Sequence, residues 1–325
     1  MAGKRKDQLF EVRVPASTSN LGAGFDCFGL ALQLYLTARA RPVPGSDVPC
    51  QVHISGVGNS ASLPTDKTNL IYRSMAFAAE QERLELPPVE IVVRSEIPNA
   101  SGLGSSGAAV VAGIKLCSLL TKHKLSNDKL LAYATHLEGH PDNVAPSLYG
   151  GFVVSAVAAG GEVFTTKSAW PARIKILAIT PQLQLETSVA RAALPRMVKR
   201  ADAIHNLQRT ALFTTALARR RYDLIWEAMS DRLHQPQRES LVPGLSEVLA
   251  LPQVPGLLGL ALSGAGPSVI ALVTGDTKKI GKMIARCFQP YKIKTTTREL
   301  QVDNAGCRSA VLWLAGKRQL RQSLQ

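Results

Sequence analysis

Long apolar runs are missing from this 325-residue chain. No stretch reaches the roughly 18 residues that a membrane-spanning helix requires. No apolar segment of signal-peptide type follows the basic residues 1–7, so a cytoplasmic location is expected. Cysteine is scarce. The five cysteines, Cys27, Cys50, Cys117, Cys287 and Cys307, are odd in number and include no C-x-x-C pair. That argues against a disulfide framework and a zinc site, and leaves them as small core residues. Acidic residues are outnumbered, 24 against 38 basic, for a net charge of +14. Such a balance raises nucleic-acid binding. However, the basic runs, Lys4-Arg5-Lys6, Arg219-Arg220-Arg221 and Lys317-Arg318 with Arg321, are short and scattered, and aromatics are only 5% of residues. A solvated basic surface that attracts anionic small molecules such as nucleotides is expected, with no nucleic acid and no membrane as partner.

The chain is long enough for one large or two medium domains with a real core, and its 46% hydrophobic and 19% charged residues suit a globular protein. A soft boundary near Pro171 divides it into residues 1–170 and 171–325. The central stretch runs Pro98, Asn99, Ala100, Ser101, Gly102, Leu103, Gly104, Ser105, Ser106, Gly107, Ala108, between a strand-like run at 89–93 and a helix-like run at 108–120 of small and apolar residues. Glycines let the backbone come close and adopt positive φ. Ser105 and Ser106 offer a helix cap or an anion contact. A helix start adds unpaired N–H groups and a positive dipole end, so the stretch reads as a phosphate cradle. It is not a Walker A loop, because G-K-[ST] is absent. The letters of G-x-G-x-x-G fit, but no acidic residue ends a second strand about 20 residues on, as a dinucleotide site requires.

Residues 10–14 and 30–37 read as strands joined by a polar, Gly-rich loop over 15–29, in which Asn20 and Asp26 are either ligands or turn formers. Residues 39–45 read as a turn. Asp66 or Thr68 is placed to cap a helix over 70–82, with Asn69 in its first turn. Ser126 precedes a helix over 129–137 that stops at Glu138-Gly139-His140-Pro141-Asp142-Asn143. Glu138, Asp142 and Asn143 cluster oxygen ligands of the kind magnesium takes, whereas His140 alone reads as structural. Hairpin strands follow at 152–157 and 162–166. The second half opens with a strand at 174–180, then a helical turn at 187–195 and helices over 199–220 and 222–231. The tight loop Ser263-Gly264-Ala265-Gly266-Pro267-Ser268 joins strands at 257–262 and 269–273, and suggests close approach to a ligand or another backbone. Residues 304–325 carry no legible pattern.

Four of these stretches resemble one family. Pro98 to Ala108 resembles the Pro-x-x-x-Gly-Leu-Gly-Ser-Ser-Ala motif of the GHMP small-molecule kinases, departing from it with Gly107 for alanine. Residues 14–26 resemble the first motif of the homoserine kinases, 138–146 their Glu-Gly-His-Pro-Asp-Asn string, and 262–268 their third motif. The resemblance implies a two-lobed α+β fold, with a ribosomal-S5-like N-terminal half and a ferredoxin-like C-terminal half. It implies an ATP-dependent kinase acting on the side-chain hydroxyl of L-homoserine on the route to threonine, and a homodimer. It places ATP on residues 98–108 with Asn69 near the base, Mg²⁺ on Ser106 and Glu138, and substrate on Asn20, Asp26, Asn143, Arg191, Arg238 and Gly264. Asn143 and Arg191 are the catalytic pair. An asparagine at 143 cannot act as a base, so catalysis would rest on positioning and charge neutralisation. The alternatives are a GHMP kinase for another small alcohol and a catalytically silent ligand sensor on the same fold.

Overall fold

The computed structural model describes residues 7–56 and 63–314. The basic runs at 4–6 and 317–321 lie outside them. Strands β1 (Asp7–Ser19) and β2 (Phe28–Pro42) form the first hairpin, with Phe10 opposite Ala40 and Val12 opposite Ala38. Both outrun the predicted strands. Residues 39–42, expected in a turn, continue β2. Residues 15–19, expected in a loop, continue β1 past a register slip between Pro15 and Ala16. A bulge admits proline into a strand. Beyond it Ser17, Thr18 and Ser19 are buried, their hydroxyls bonded inside the protein. This polar, small-residue segment has the composition of a loop and the environment of a core strand.

Strand β3 (Cys50–Gly56) runs parallel to β4 (Val89–Ser95), and β4 antiparallel to β2. β5 (Phe152–Val157) pairs with the start of β2 and with β6 (Val163–Ser168). Helices α1 (Leu70–Gln81), α2 (Ser105–Leu120), α3 (Asn127–Glu138) and α4 (Pro141–Tyr149) pack together, α2 and α4 resting on β1 and β2. Helix α2 is apolar almost all round and buried along most of its length, as a central helix must be.

A second sheet is antiparallel throughout, in the order β10 (Thr295–Leu300), β7 (Lys175–Pro181), β9 (Val269–Val273), β8 (Leu257–Leu262). Between β7 and β8 come α5 (Thr187–Ala192), α6 (Arg200–Ala218), α7 (Ile225–Ala228), α8 (Gln235–Arg238) and α9 (Leu245–Leu249). The single helix expected over 222–231 is instead a 3₁₀ turn, Tyr222–Leu224, followed by α7. Helix α10 (Thr277–Arg286), capped by Asp276, packs on β7 and β10. The two cores meet along β7, whose Ile176 and Ala178 face one and Leu177 and Ile179 the other.

The first sheet takes its strands from residues 7–168 and the second from residues 175–300, except at the end of the chain. Strand β11 (Arg308–Leu314) returns to the first sheet and pairs with β1, giving the order β11-β1-β2-β4-β3. The arrangement is the expected two-lobed α+β architecture.

Candidate active site

The cradle is built where β4 hands the chain to α2. The N-cap is Gly104, at φ 71°, and it makes no side-chain cap bond. Ser105 and Ser106 therefore do not cap. They stand in the first turn, and the first helical bond runs from Ala108 N to Gly104 O. The N–H groups ahead of it are the orphans that favour an anion. Ser105 Oγ donates to Asn99 Oδ1 at 3.2 Å, and Ser106 Oγ donates to the Glu138 carboxylate at the end of α3. Behind the loop, Ser263 Oγ donates to the Gly102 carbonyl at 2.6 Å, and Ser268 N donates to Ser101 O at 3.1 Å. The Ser-Gly loop between β8 and β9 thus buttresses the cradle.

Helix α4 brings Asn143 to the same cleft. Its Nδ2 donates to Ser17 Oγ at 3.0 Å, and its Oδ1 accepts from Ser19 Oγ at 3.3 Å. Ser17 and Ser19 share one face of β1 because side chains alternate. His140, expected to be merely structural, lines the cleft and bonds Asp142 through Nδ1. Burial opposes its protonation, but the Asp142 carboxylate outweighs burial and raises the pKa. The donor atoms of Asp26, His140 and Asp142 lie within 4.8 Å of one another. Both carboxylates already have partners, Arg191 and His140.

The opposite wall carries the arginines. Arg191 at the end of α5 donates Nη2 to Asp26 Oδ1 at 2.7 Å and Nη1 to Oδ2 at 3.2 Å, a bidentate pair. Arg238 is buried at 1% exposure. It donates Nε to Ala190 O at 3.2 Å and Nη1 to Gly264 O at 3.0 Å. Burial, then Arg191, pulls its pKa down to about 10, still charged at neutral pH. The ring of Phe25 lies 5.9 Å from one guanidinium carbon and 5.7 Å from the other.

Of the sequence candidates, the structure gathers Asn20, Asp26, Ala100, Ser101, Gly102, Gly104, Ser105, Ser106, Gly107, Glu138, Asn143, Arg191, Arg238 and Gly264 around one cleft. Asn20 bonds backbone through both ends of its amide. Nδ2 donates to Gly264 O at 3.1 Å, and Oδ1 accepts from Asp26 N at 3.0 Å. Asn69, rather than Asp66 or Thr68, is the cap of α1. Its Oδ1 accepts from Ile71 N and its Nδ2 donates to Pro64 O, so each end of its amide is bonded to nearby backbone. Leu103 and Ala108 are core residues. Pro98 O accepts from Ser101 Oγ, and Asn99 holds Ser105. The cleft also includes Asp142, read from the sequence as an oxygen ligand beside Glu138 and Asn143, and Phe25 and Thr187, which sequence reading did not place there. The Asp two residues after His140 was the available signal for that pair.

Residues 69–151 match the GHMP kinases N-terminal domain, and residues 213–289 the GHMP kinases C-terminal domain. The chain is 43% identical over 299 residues to the homoserine kinase of Deinococcus radiodurans, covering 91% of this chain and 95% of that protein. It is 38% identical over 299 residues to that of Desulfitobacterium hafniense, covering 92% and 99%. The crystal structure of homoserine kinase from Cytophaga hutchinsonii matches it with a TM-score of 0.80 at 30% identity, over 95% of this chain and 99% of that one. With the motifs, the two-lobed fold and the cleft in agreement, the chain belongs to the homoserine kinase family of the GHMP kinases.

Proposed function

We propose that this protein transfers the γ-phosphoryl group of ATP to the side-chain hydroxyl of L-homoserine, giving O-phospho-L-homoserine for threonine biosynthesis. The observation that carries this reading is the Asp26–Arg191 pair, 2.7 Å apart and beside the amino end of α2. An amino-acid zwitterion brings both partners such a pair needs. Its ammonium takes Asp26, and its carboxylate takes Arg191 together with Arg238. A substrate without an ammonium would bring Asp26 no cation besides Arg191.

The first turn of α2 and the glycine-rich loop hold the phosphates through backbone N–H groups. Ser106 and Glu138 supply a hydroxyl and a carboxylate, the hard oxygen donors that suit Mg²⁺, and would hold it beside that turn. When bound, the ion neutralises phosphate charge. Asn143, clamped by Ser17 and Ser19, orients the substrate hydroxyl and cannot remove its proton, which passes to a phosphate oxygen or to water. Positioning and charge stabilisation suffice for a loose phosphoryl transition state.

The test is ADP release with ATP, Mg²⁺ and L-homoserine, with L-threonine and mevalonate in parallel. Homoserine-dependent turnover that Asn143→Ala and Arg238→Ala each lower by roughly 100-fold or more is the expected result. Turnover with mevalonate alone would reject the amino-acid pocket. Binding of ATP without any turnover would favour the silent sensor.

A further inference from the structure

His234 has no exposed surface and lies one helical turn before Arg238, at the start of α8. Its ring is held on three sides. Nε2 donates to the Gly22 carbonyl at 2.9 Å, Nδ1 accepts from Arg238 Nη1 at 3.1 Å, and the Phe25 ring stacks on it with centroids 5.1 Å apart. A carbonyl only accepts and a guanidinium only donates. The two bonds therefore place the hydrogen on Nε2 and a lone pair on Nδ1, in an uncharged imidazole. The charged groups around it are Arg238, Asp231, whose Oδ2 is 3.6 Å from Nε2, and Asp26. Burial holds the pKa below its usual value, in keeping with the neutral form.

The backbone of α8 is anchored without the imidazole. The Asp231 carboxylate accepts from Leu233 N at 3.1 Å, His234 N at 3.0 Å, Gln235 N at 2.7 Å and Asn206 Nδ2 at 2.7 Å. Gln235 Oε1 accepts from Leu262 N at 2.7 Å. What the imidazole adds is the direction of Arg238. Its Nδ1, with the carbonyls of Ala190 and Gly264, supplies the acceptors that fix the guanidinium plane. Among the described residues Nη2 has no hydrogen-bond partner. We propose that His234 is a positioning residue of the carboxylate site, acting as the neutral acceptor that aims Arg238 at the substrate. This rests on the reading of Arg238 as a carboxylate ligand.

Two substitutions of similar size separate positioning from filling space. In His234→Asn the short amide puts an oxygen near the place of Nδ1 and keeps the acceptor for Arg238. In His234→Gln the longer amide reaches the place of Nε2, keeps the donor to Gly22 and loses that acceptor. Homoserine and ATP kinetics and thermal melts are measured for both, for Arg238→Ala, and for Arg238→Ala combined with His234→Gln. We expect His234→Gln to raise the KM for homoserine by roughly tenfold or more and His234→Asn by less than about threefold, with the KM for ATP unchanged. The double variant should lose no more homoserine kcat/KM than Arg238→Ala alone. Equal losses in Asn and Gln that follow the melting temperature, or additive losses in the double variant, would overturn the positioning role while leaving Arg238 as a ligand. An Arg238→Ala variant with unchanged homoserine kinetics would instead remove the ligand itself, and the inference with it.

Discussion

At Gly102 the backbone φ is 78°, and a Cβ there would sit 2.2 Å from the carbonyl oxygen of Ser263. A side chain must both adopt the left-handed region, which costs about 1–2 kcal/mol, and push aside the loop that buttresses the cradle. Gly102→Ala should therefore lower the melting temperature and raise the KM for ATP by roughly tenfold or more, read by thermal melts and steady-state kinetics. Gly107 is the contrasting case. A Cβ there meets Asn143 Cβ at 3.3 Å and Val144 Cγ1 at 3.4 Å, a tight contact without a backbone clash, and it lies inside α2. Alanine gains about 0.5–1 kcal/mol of helix preference over glycine. Gly107→Ala should keep kcat/KM within about threefold and not lower the melting temperature. A loss comparable to that of Gly102→Ala would show that the departure from the family motif matters. The need for glycine at 102 was legible as a Gly-rich loop. Which glycine is irreplaceable was not, because that depends on Ser263, 161 positions away.

Among the elements, α8 shows how a four-residue helix is made rigid. Its amino end rests on one carboxylate that accepts three backbone N–H groups. Asp231→Ala should cost about 1–2 kcal/mol of stability and raise the KM for homoserine while leaving that for ATP unchanged, since Arg238 rides on this helix and the cradle does not. Parallel denaturant melts and two-substrate kinetics check it. Strand β11 is the other instructive element. It closes one edge of β1, seven residues in register from Arg13 opposite Arg308 to Asp7 opposite Leu314. Deleting residues 308–325 would leave β1 as a long unpaired edge, and the expected result is a lower melting temperature with aggregation, seen by light scattering. This strand escaped sequence reading because Val311 and Trp313 are exposed and its residues do not alternate. Pairing with a distant strand, and no burial pattern of its own, makes it a strand. Helix α3 was legible for the opposite reason, having a local cap in Ser126 and a local stop in Gly139; α1 was legible as a helix, although its cap is Asn69 and not Asp66 or Thr68.

For the molecule as a whole, two buried imidazoles set one arm of the pH dependence. Burial lowers the pKa of both His205 and His234 in the folded state. Below pH about 6.5 the unfolded chain takes up protons that these rings refuse. Their contribution therefore makes stability fall as the pH drops from 7.5 towards 5.5, and it vanishes above that range. His140 acts in the other direction. Its raised pKa contributes stability that is present at low pH and lost as the pH rises through the folded value. Replacing His205 with glutamine should shrink the acid-side fall in melting temperature relative to the unsubstituted protein, measured at matched ionic strength. A fall of unchanged size would remove His205 from the account.

Sequence by itself determined what is local: a glycine-rich loop ahead of an apolar helix, the cap and stop of α3, alternation in the main strands, and motifs specific enough to indicate the family. Those features depend on backbone preference and side-chain spacing over a few residues, which any chain carries with it. The tertiary structure decided which groups meet. Asp26 pairs with Arg191 across 165 positions, Asn143 is clamped by Ser17 and Ser19 from a strand that reads as a loop, and β11 crosses back to the first sheet. Such pairings have no local signal, because hydrogen bonds and charge pairs act at about 3 Å, and only the packing of two sheets brings those side chains within that range.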